Sequence, residues 1–481
     1  MTVRSVKIFA TIFFMFGLNI ELTILLFLCL LAVCIFEFIN GFHDTANAVA
    51  TVIYTNSLKP YTAVVLSGIL NFTGVIFGGI SVAMGIVNLL PMEIFLQSSS
   101  LYQSIALILS ILLSAIIWNL GTWYYGIPCS SSHTLIGAII GAGVGYSVFG
   151  NGALSNVNWE KAGEIGLSLL ISPLFGFGFT ILLMFLLRTL VKNPKIFQEP
   201  EKDKTPPWWI RGILILTCSG VSLSHGSNDG QKGVGLMMLI LIAIVPIQFA
   251  LVDNLKPSEV RHNIQAIEQV LKNVEINKLS QESKTKLAMI HTQIAELDLM
   301  LKETEKATTI PENQRFAVRK NIMVITKELG KLVKENKLKI SKEDKAILNK
   351  HLQNMKSFVE YAPFWVVLLI SFSLGIGTMI GWKRIVVTIG EKIGKEHLTY
   401  AQGASSEIVA ASTIGVSTFF GLPVSTTHVL SSGVAGSMVA NKGLANLQSS
   451  TIRNILIAWI LTLPISILLS VVFFGILKQI M

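Results

Sequence analysis

Long apolar runs alternate with short polar or Gly- and Pro-containing breaks along most of the chain. Runs near 22–40, 62–88, 102–123, 133–149 and 165–187 approach the roughly 20 residues a helix needs to cross a bilayer. Others follow near 209–224, 363–382, 399–421, 424–440 and 454–477. The run 233–252 reads either as one more span or as the second half of a broken helix. Residues 253–360 follow another pattern: in SEVRHNIQAIEQVLKNV and TKLAMIHTQIAELDLMLKETEK, Ile, Leu and Met recur every three or four positions among Lys and Glu. That spacing predicts amphipathic helices. The chain thus divides into a first transmembrane repeat (1–191), a basic connector (192–207), the start of a second repeat (208–252), an inserted soluble helical module (253–360) and the rest of the second repeat (361–481). The expected fold is an all-α polytopic membrane protein of about 10–12 membrane segments, with two inverted-topology repeats and broken helices. A spacer or packing role suits the module better than a regulatory one.

Composition agrees. Of 481 residues, 14% are charged and 52% hydrophobic, whereas soluble domains carry about 25% charged residues. Between Glu93 and Glu160 the one Asp, Glu, Lys, Arg or His is His133. The opening MTVRSVKIFATIFFMFGLNIEL has no clean small-x-small cleavage site and reads as an uncleaved lead-in. Cys29, Cys34, Cys129 and Cys218 lie in apolar segments without metal-ligand spacing and read as packing residues. The net charge of +10 sits largely in loops, where it sets orientation and carries no message about nucleic acid. The basic stretch 188–211 is expected in the cytoplasm, with five spans before it and the N-terminus outside. The basic loop KRIVVTIGEKIGK (383–395) is cytoplasmic too if 208–252 crosses a net single time, which places the module outside; otherwise the module is cytoplasmic.

Two pairs of motifs indicate internal duplication. INGFHDTANAVAT (39–51) and SHGSNDGQKGVGL (224–236) align Gly41, Asp44 and Asn47 with Gly226, Asp229 and Lys232. PCSSSHTLIGAIIGAG (128–143) and PVSTTHVLSSGVAGSM (423–438) share Pro-x-Ser-[Ser/Thr]-[Ser/Thr]-His, with Gly141 and Gly436 each eight residues beyond the His. Matched polar interruptions in two halves are the mark of a secondary transporter with a site near the bilayer midplane. Gly41 and Gly226 are expected to interrupt their helices, and Pro128 and Pro423 to occupy the first turn of new ones.

The residue types suggest the chemistry. Ser130, Ser131, Ser132, Ser425, Thr426 and Thr427 stand where helix-initial N–H groups bind phosphate-like anions. Asn47, Asn228, His133 and His428 complete a candidate phosphate-binding set. Lys232 either joins that set or neutralises Asp229. Carboxylates repel an anion in a poorly screened site, so Asp44 and Asp229 imply an accompanying cation: a metal, sodium or a proton. Glu37 and Glu407, acids within apolar spans, are further coupling candidates. His43 and His225 are weaker candidates, because they do not occupy equivalent repeat positions. A single Ser/Thr run in a membrane helix is commonly interhelical glue, and the matched pair argues against that here. An intramembrane hydrolase is disfavoured by the absence of a Gly-x-Ser-x-Gly elbow. No Gly-x4-Gly-Lys-Ser/Thr loop points to an ATP-driven pump, so no enzyme activity is expected.

These motifs, together with AIIWNLGTWYYGIPCSSSHTLIGAIIG, SLGIGTMIGWKR and TIGEKIGK, resemble the inorganic phosphate transporter (PiT) family, specifically its bacterial low-affinity permeases. The resemblance implies phosphate symport in a bacterial inner membrane, as a neutral divalent metal–hydrogen phosphate complex (magnesium or similar) with protons; other members use sodium, and a related branch carries sulfate. It places the family's functional aspartates on Asp44 and Asp229, for coupling and metal, and its phosphate turns on the two Ser/Thr-His motifs. It implies no permanently bound cofactor. The partners are phosphate and the lipid bilayer, with a homodimer open. Animal members have a glutamate where this chain has Asn71, while Glu407 matches the second family glutamate.

Overall fold

The protein is described here by a computed structural model covering residues 17–89, 101–149, 159–201, 204–305 and 307–481. The lead-in expected before residue 17 lies outside these residues. The chain forms Ile20–Asp44 (α1), Ala46–Tyr54 (α2), Pro60–Phe77 (α3), Ser81–Val87 (α4), Leu101–Tyr124 (α5), Ser131–Phe149 (α6), Trp159–Leu190 (α7) and Trp208–Ile244 (α8). Pro246–Phe249 (α9), Pro257–Leu271 (α10), Gln281–Glu303 (α11), Glu312–Lys334 (α12) and Lys342–Val359 (α13) follow. The last helices are Phe364–Met379 (α14), Lys383–Glu391 (α15), Tyr400–Phe419 (α16), Thr426–Lys442 (α17) and Ser449–Ile480 (α18). Two compact units result: Leu18–Ile240 with Ala362–Met481, and a second that includes Leu241–Tyr361.

The second unit buries the three- and four-residue apolar stripes of its helices, among them Val260, Ile264, Ile267, Ile290, Ile294 and Ile322. Its two ends are tied together by a buried arginine. Arg319 donates to the carbonyls of Ala250 (2.8 Å) and Val359 (2.6 Å), and burial pushes its guanidinium down to about 10. It remains charged at neutral pH, satisfied by carbonyl dipoles.

In the first unit, six helical stretches among the described residues are long and apolar enough to cross a membrane: Ile20–Tyr54, Pro60–Phe77, Leu101–Tyr124, Ser131–Phe149, Ala162–Leu190 and Ser449–Ile480. The expected 10–12 segments exceed that number for a physical reason. α8 and α16 carry buried Asp229, Lys232 and Glu407, which lower their apolarity, and α14 and α17 are only 16 and 17 residues long. The two halves pack reciprocally: α6 lies on α18 and α17 lies on α7. α7 and α18 are each 32 residues long with one internal proline, Pro173 and Pro464. A Cβ on Gly141 would meet the Ile467 carbonyl oxygen at 2.5 Å or less, and one on Gly436 would meet that of Phe177 at 2.5 Å. The matched glycines therefore let each repeat's polar-turn helix approach the other repeat's proline helix.

Three expectations need correction. α1 passes straight through Gly41 and is interrupted only at Thr45, whose hydroxyl bonds the carbonyls of Gly41 and Thr378. α8 runs unbroken through Gly226, so 209–224 and most of 233–252 belong to one helix. Span 62–88 is divided into α3 and α4. Gly41 and Gly226 serve close approach: a Cβ would lie 2.5 Å from the Leu374 carbonyl oxygen at the first and would clash with the Asn71 carbonyl oxygen at the second.

Gly226→Ala should therefore destabilise the protein by at least about 1–3 kcal/mol through overpacking against backbone. Gly212→Ala, in the same helix with nothing within 4 Å of its Cβ, should be neutral or slightly stabilising. Thermal unfolding of the two purified variants compares them directly; equal midpoints would contradict the packing argument.

Candidate functional site

The two Ser/Thr-His motifs adopt the same turn. Gly126 and Gly421 have φ of 66° and 68°, a left-handed conformation that glycine adopts without strain, and each precedes its proline by two residues. Ser130 Oγ then accepts from the His133 N–H (3.2 Å), and Ser425 Oγ from the His428 N–H (3.1 Å). These serines act as N-caps. The helices accordingly begin at Ser131 and Thr426, and the prolines lie in the approach, outside the first turn where they were expected. The turns meet: Ser132 Oγ donates to the Val424 carbonyl (2.8 Å), and the His133 and His428 rings lie 4.5 Å apart. His428 also stacks on Trp459.

α1 and α8 bring Asp44 and Asp229 to these turns. Ser131 Oγ lies 3.2 Å from Asp44 Oδ2 and 3.3 Å from Asp229 Oδ2, bridging the two carboxylates. Thr427 donates to Asp44 Oδ1, and Asn47 Nδ2 reaches Thr427 Oγ1 at 3.1 Å. Lys232 Nζ is 2.6 Å from both Asp229 Oδ2 and Ser132 Oγ. All of these side chains are buried. Hydroxyls and carboxylates thus form one site, rather than separate anion and cation sites. Thr426 Oγ1, Asn47 Oδ1, Asp229 Oδ1, His133 Nδ1 and His428 Nε2 are buried without a hydrogen-bond partner among the described residues.

His225, rated weak from sequence, stands at the centre. Its Nε2 lies 3.7 Å from Asp44 Oδ2 and 3.6 Å from Asp229 Oδ2, too far for good hydrogen bonds. Its Nδ1 is 3.0 Å from Asn71 Oδ1, and the Asn71 amide is oriented by donation from Nδ2 to Thr378 Oγ1 (2.9 Å). With that assignment of the amide, Nδ1 carries a proton and Nε2 faces the carboxylates. Nε2 then either carries a second proton or offers a lone pair to a cation. The legible signal was the His225-x3-Asp229 spacing, which places both side chains on one helix face. His43 bonds outward through Nε2 to Thr122 Oγ1 (3.2 Å), with Nδ1 3.4 Å from Asp44 Oδ1.

Other candidates stand around this cluster. Asn228 bonds Thr418, the Leu422 carbonyl and the Val424 N–H, holding the second turn. Glu37 Oε2 accepts from Asn40 (3.2 Å), while Oε1 has no partner and lies against Gly233. Glu407 accepts from Thr51 and Thr217, and none of its hydrogen bonds reaches the aspartates. Ligand atoms of Asp44, His225 and Asp229 all lie within 4.8 Å of one another, a mixed N/O set suited to a divalent ion.

A model of the phosphate transporter family matches residues 40–470. The chain is 44% identical to the low-affinity inorganic phosphate transporter of Buchnera aphidicola subsp. Acyrthosiphon pisum (strain APS), covering 93% of this chain and 95% of that relative. It is 42% identical to the low-affinity inorganic phosphate transporter PitA of Escherichia coli (strain K12), over 94% and 97% of the two chains. Among solved structures, one described as the sodium-dependent phosphate transporter aligns with a TM-score of 0.54 at 20% identity, covering 95% of this chain and 100% of that one. That likeness concerns the fold.

The Lys232–Asp229 pair gives a test of the geometry. Lys232→Met leaves a buried carboxylate without its ammonium and should cost about 3–5 kcal/mol. Combining it with Asp229→Asn should recover much of that loss. Unfolding midpoints of the single and double variants measure the coupling, and additive losses would show that the pair is not formed.

Proposed function

The chain belongs to the phosphate transporter family, and we propose that it works as a symporter carrying phosphate as a neutral divalent metal–hydrogen phosphate complex together with protons. It is a multi-pass membrane transporter of inorganic phosphate and not an enzyme. The observation that carries the finer reading is the placement of His225 Nε2 between two buried carboxylates. A bare lone pair facing two anions is unfavourable, so the arrangement calls for a cation, whether a proton on His225 or a metal held by Asp44, His225 and Asp229.

Charge balance supports the same reading. Asp44, Asp229 and Lys232 together leave one net negative charge. A proton on His225, with the metal then held by Asp44 and Asp229 alone, brings the set to neutrality, and a metal–hydrogen phosphate pair adds no net charge. Burying neutral cargo avoids most of the cost of burying either ion alone. Ser131, Ser132, Thr426, Thr427, Asn47 and Lys232 would surround the phosphate oxygens, with His133 and His428 alongside and the capping serines and Asn228 holding the turns. Glu37, buried with one free oxygen, is a second proton position; Glu407 would act from its own site. The duplicated turns and reciprocal helix packing suit two inverted repeats that rock about a fixed site. Asn71 is neutral and committed to His225, which favours protons over sodium.

Dual-isotope uptake into liposomes, with metal supplied or chelated, tests the coupling. Phosphate and metal should enter together, driven by an inward proton gradient without sodium. Accumulation that survives full chelation and follows sodium would overturn the proposal. Asp44→Asn and Asp229→Asn should each abolish accumulation while the protein remains inserted. Thr426→Ala removes a hydroxyl that has no partner within the protein. It should raise the apparent phosphate KM roughly ten- to a hundredfold, as a lost hydrogen bond to a charged ligand does, with an unchanged unfolding midpoint. Residues 253–360 are proposed to act as a separate module. A short flexible linker in place of 262–355 should leave a protein that still accumulates phosphate; a correctly inserted but inactive deletion would assign the module a part in transport.

A further inference from the structure

Beyond Thr378, the rest of the segment SLGIGTMIGWKR has no part in the site just described, yet its end, with the neighbouring TIGEKIGK, walls a cavity of about 700 Å³. The cavity opens where two apolar helices stop, α5 at Tyr124 and α14 at Met379. Its sides are the stretch Trp123–Gly126, the turn Gly381–Arg384 and the face of α15 that ends near Lys392. Hydrogen bonds hold these walls together. Trp123 Nε1 donates to the Gly381 carbonyl (2.8 Å), Thr388 Oγ1 to that of Gly126 (2.8 Å), and Arg384 to that of Tyr124 (2.5 Å).

Three cations face this space: Lys383, Arg384 and Lys392. Among the described residues none is ion-paired with a carboxylate, and the neighbouring Glu391 accepts from Tyr54 instead. The Arg384 guanidinium is fixed 4.9 Å from the ring centres of both Trp123 and Tyr124. The first turn of α15, with helix-initial N–H groups, lies in the same wall. The ligand must therefore be anionic. Its other half is marked by aromatics: Tyr124 and Tyr125 are 61% and 77% exposed, beside Trp123 and Trp382. Trp and Tyr gather at the level of lipid headgroups, and basic pockets between membrane helices bind anionic headgroups. A bare inorganic phosphate would leave most of this volume unfilled and the rings unused.

We infer that this cavity binds the phosphate-bearing headgroup of an anionic phospholipid, with the phosphate on Lys383, Arg384 and Lys392 and the glycerol region against the Trp and Tyr rings. The wall of the cavity adjoins a chain of contacts that ends at Asp44. Thr122, next to Trp123, contacts His43, which in turn lies against Asp44.

The test uses the full chain in phosphatidylcholine nanodiscs, titrated with short-chain phosphatidylglycerol and followed by thermophoresis. Wild type should bind phosphatidylglycerol in preference to short-chain phosphatidylcholine. Lys383→Gln with Lys392→Gln, both at exposed positions, should weaken binding roughly ten- to thirtyfold, the equivalent of about 1 kcal/mol of surface attraction per lysine. Lys192→Gln with Lys195→Gln, an equal charge loss elsewhere, should leave it unchanged. Equimolar inorganic phosphate should not displace the lipid. No preference for phosphatidylglycerol, or equal weakening in both double variants, would overturn the inference. Displacement by inorganic phosphate would also overturn it, identifying a free-anion site.

Discussion

Two carboxylates held in one buried cluster impose the constraint on which the rest of this structure depends. At an effective dielectric near 20, two unit charges about 4 Å apart repel by roughly 4 kcal/mol, and burial adds desolvation to that cost. Asp44 and Asp229 are tolerated because donors converge on them: the Ser131 hydroxyl between them, Thr427 on one, Lys232 on the other. Those donors come from α6, α17 and α8. Helices from both halves must therefore approach closely, and glycines make that possible. Gly230 packs on Val75 and Gly233 on Glu37, one helical turn or less from Asp229. A larger residue at either position would push α8, and its aspartate, away from the shared centre.

The same constraint accounts for the reciprocal packing. A polar turn at membrane depth is stable only when protein surrounds it. Each Ser/Thr-His turn starts a helix that lies against the proline-containing helix of the other half, α6 on α18 and α17 on α7. The buried turns then cap themselves through Ser130 and Ser425 and bond to one another through Ser132. Each turn thus caps itself, and one hydrogen bond, Ser132 to the Val424 carbonyl, joins the two.

Much of this was legible in the chain. The duplicated motifs named the residues that do converge, because repetition makes a weak polar signal specific. The spacing of Val260, Ile264 and Ile267 matched the face that their helix buries. Helix continuity was less legible. Gly41 and Gly226 resemble breaks in sequence, whereas tertiary contact with the backbone of Leu374 and Asn71 keeps them helical. His225 was underrated because its repeat position lies one residue before Gly226, so comparing the two halves hid it. Only the folded chain sets it against Asp44, Asn71 and Asp229 at once. The partners of Glu407, Thr51 and Thr217, lie 356 and 190 residues away, and no local pattern announces such a contact.

The two motif pairs are matched in sequence but unequal in charge. At equivalent positions three residues beyond the aspartates, one half has Asn47 and the other Lys232. Asp44 accepts from the Ser131 and Thr427 hydroxyls and, among the described residues, has no lysine or arginine partner. Asp229 already has an ammonium, shared with Ser132. Under the proposed mechanism, an arriving metal would take Asp44 without first breaking a lysine ion pair, whereas engaging Asp229 would require Lys232 to turn elsewhere. Phosphate would supply the destination, since Lys232 can exchange a carboxylate oxygen for a phosphate oxygen at little electrostatic cost. Metal binding to Asp229 and phosphate binding to Lys232 would then favour each other, coupling the two cargoes through a single lysine. A site symmetric in charge, with asparagine at both positions, would retain the metal ligands but lose this linkage.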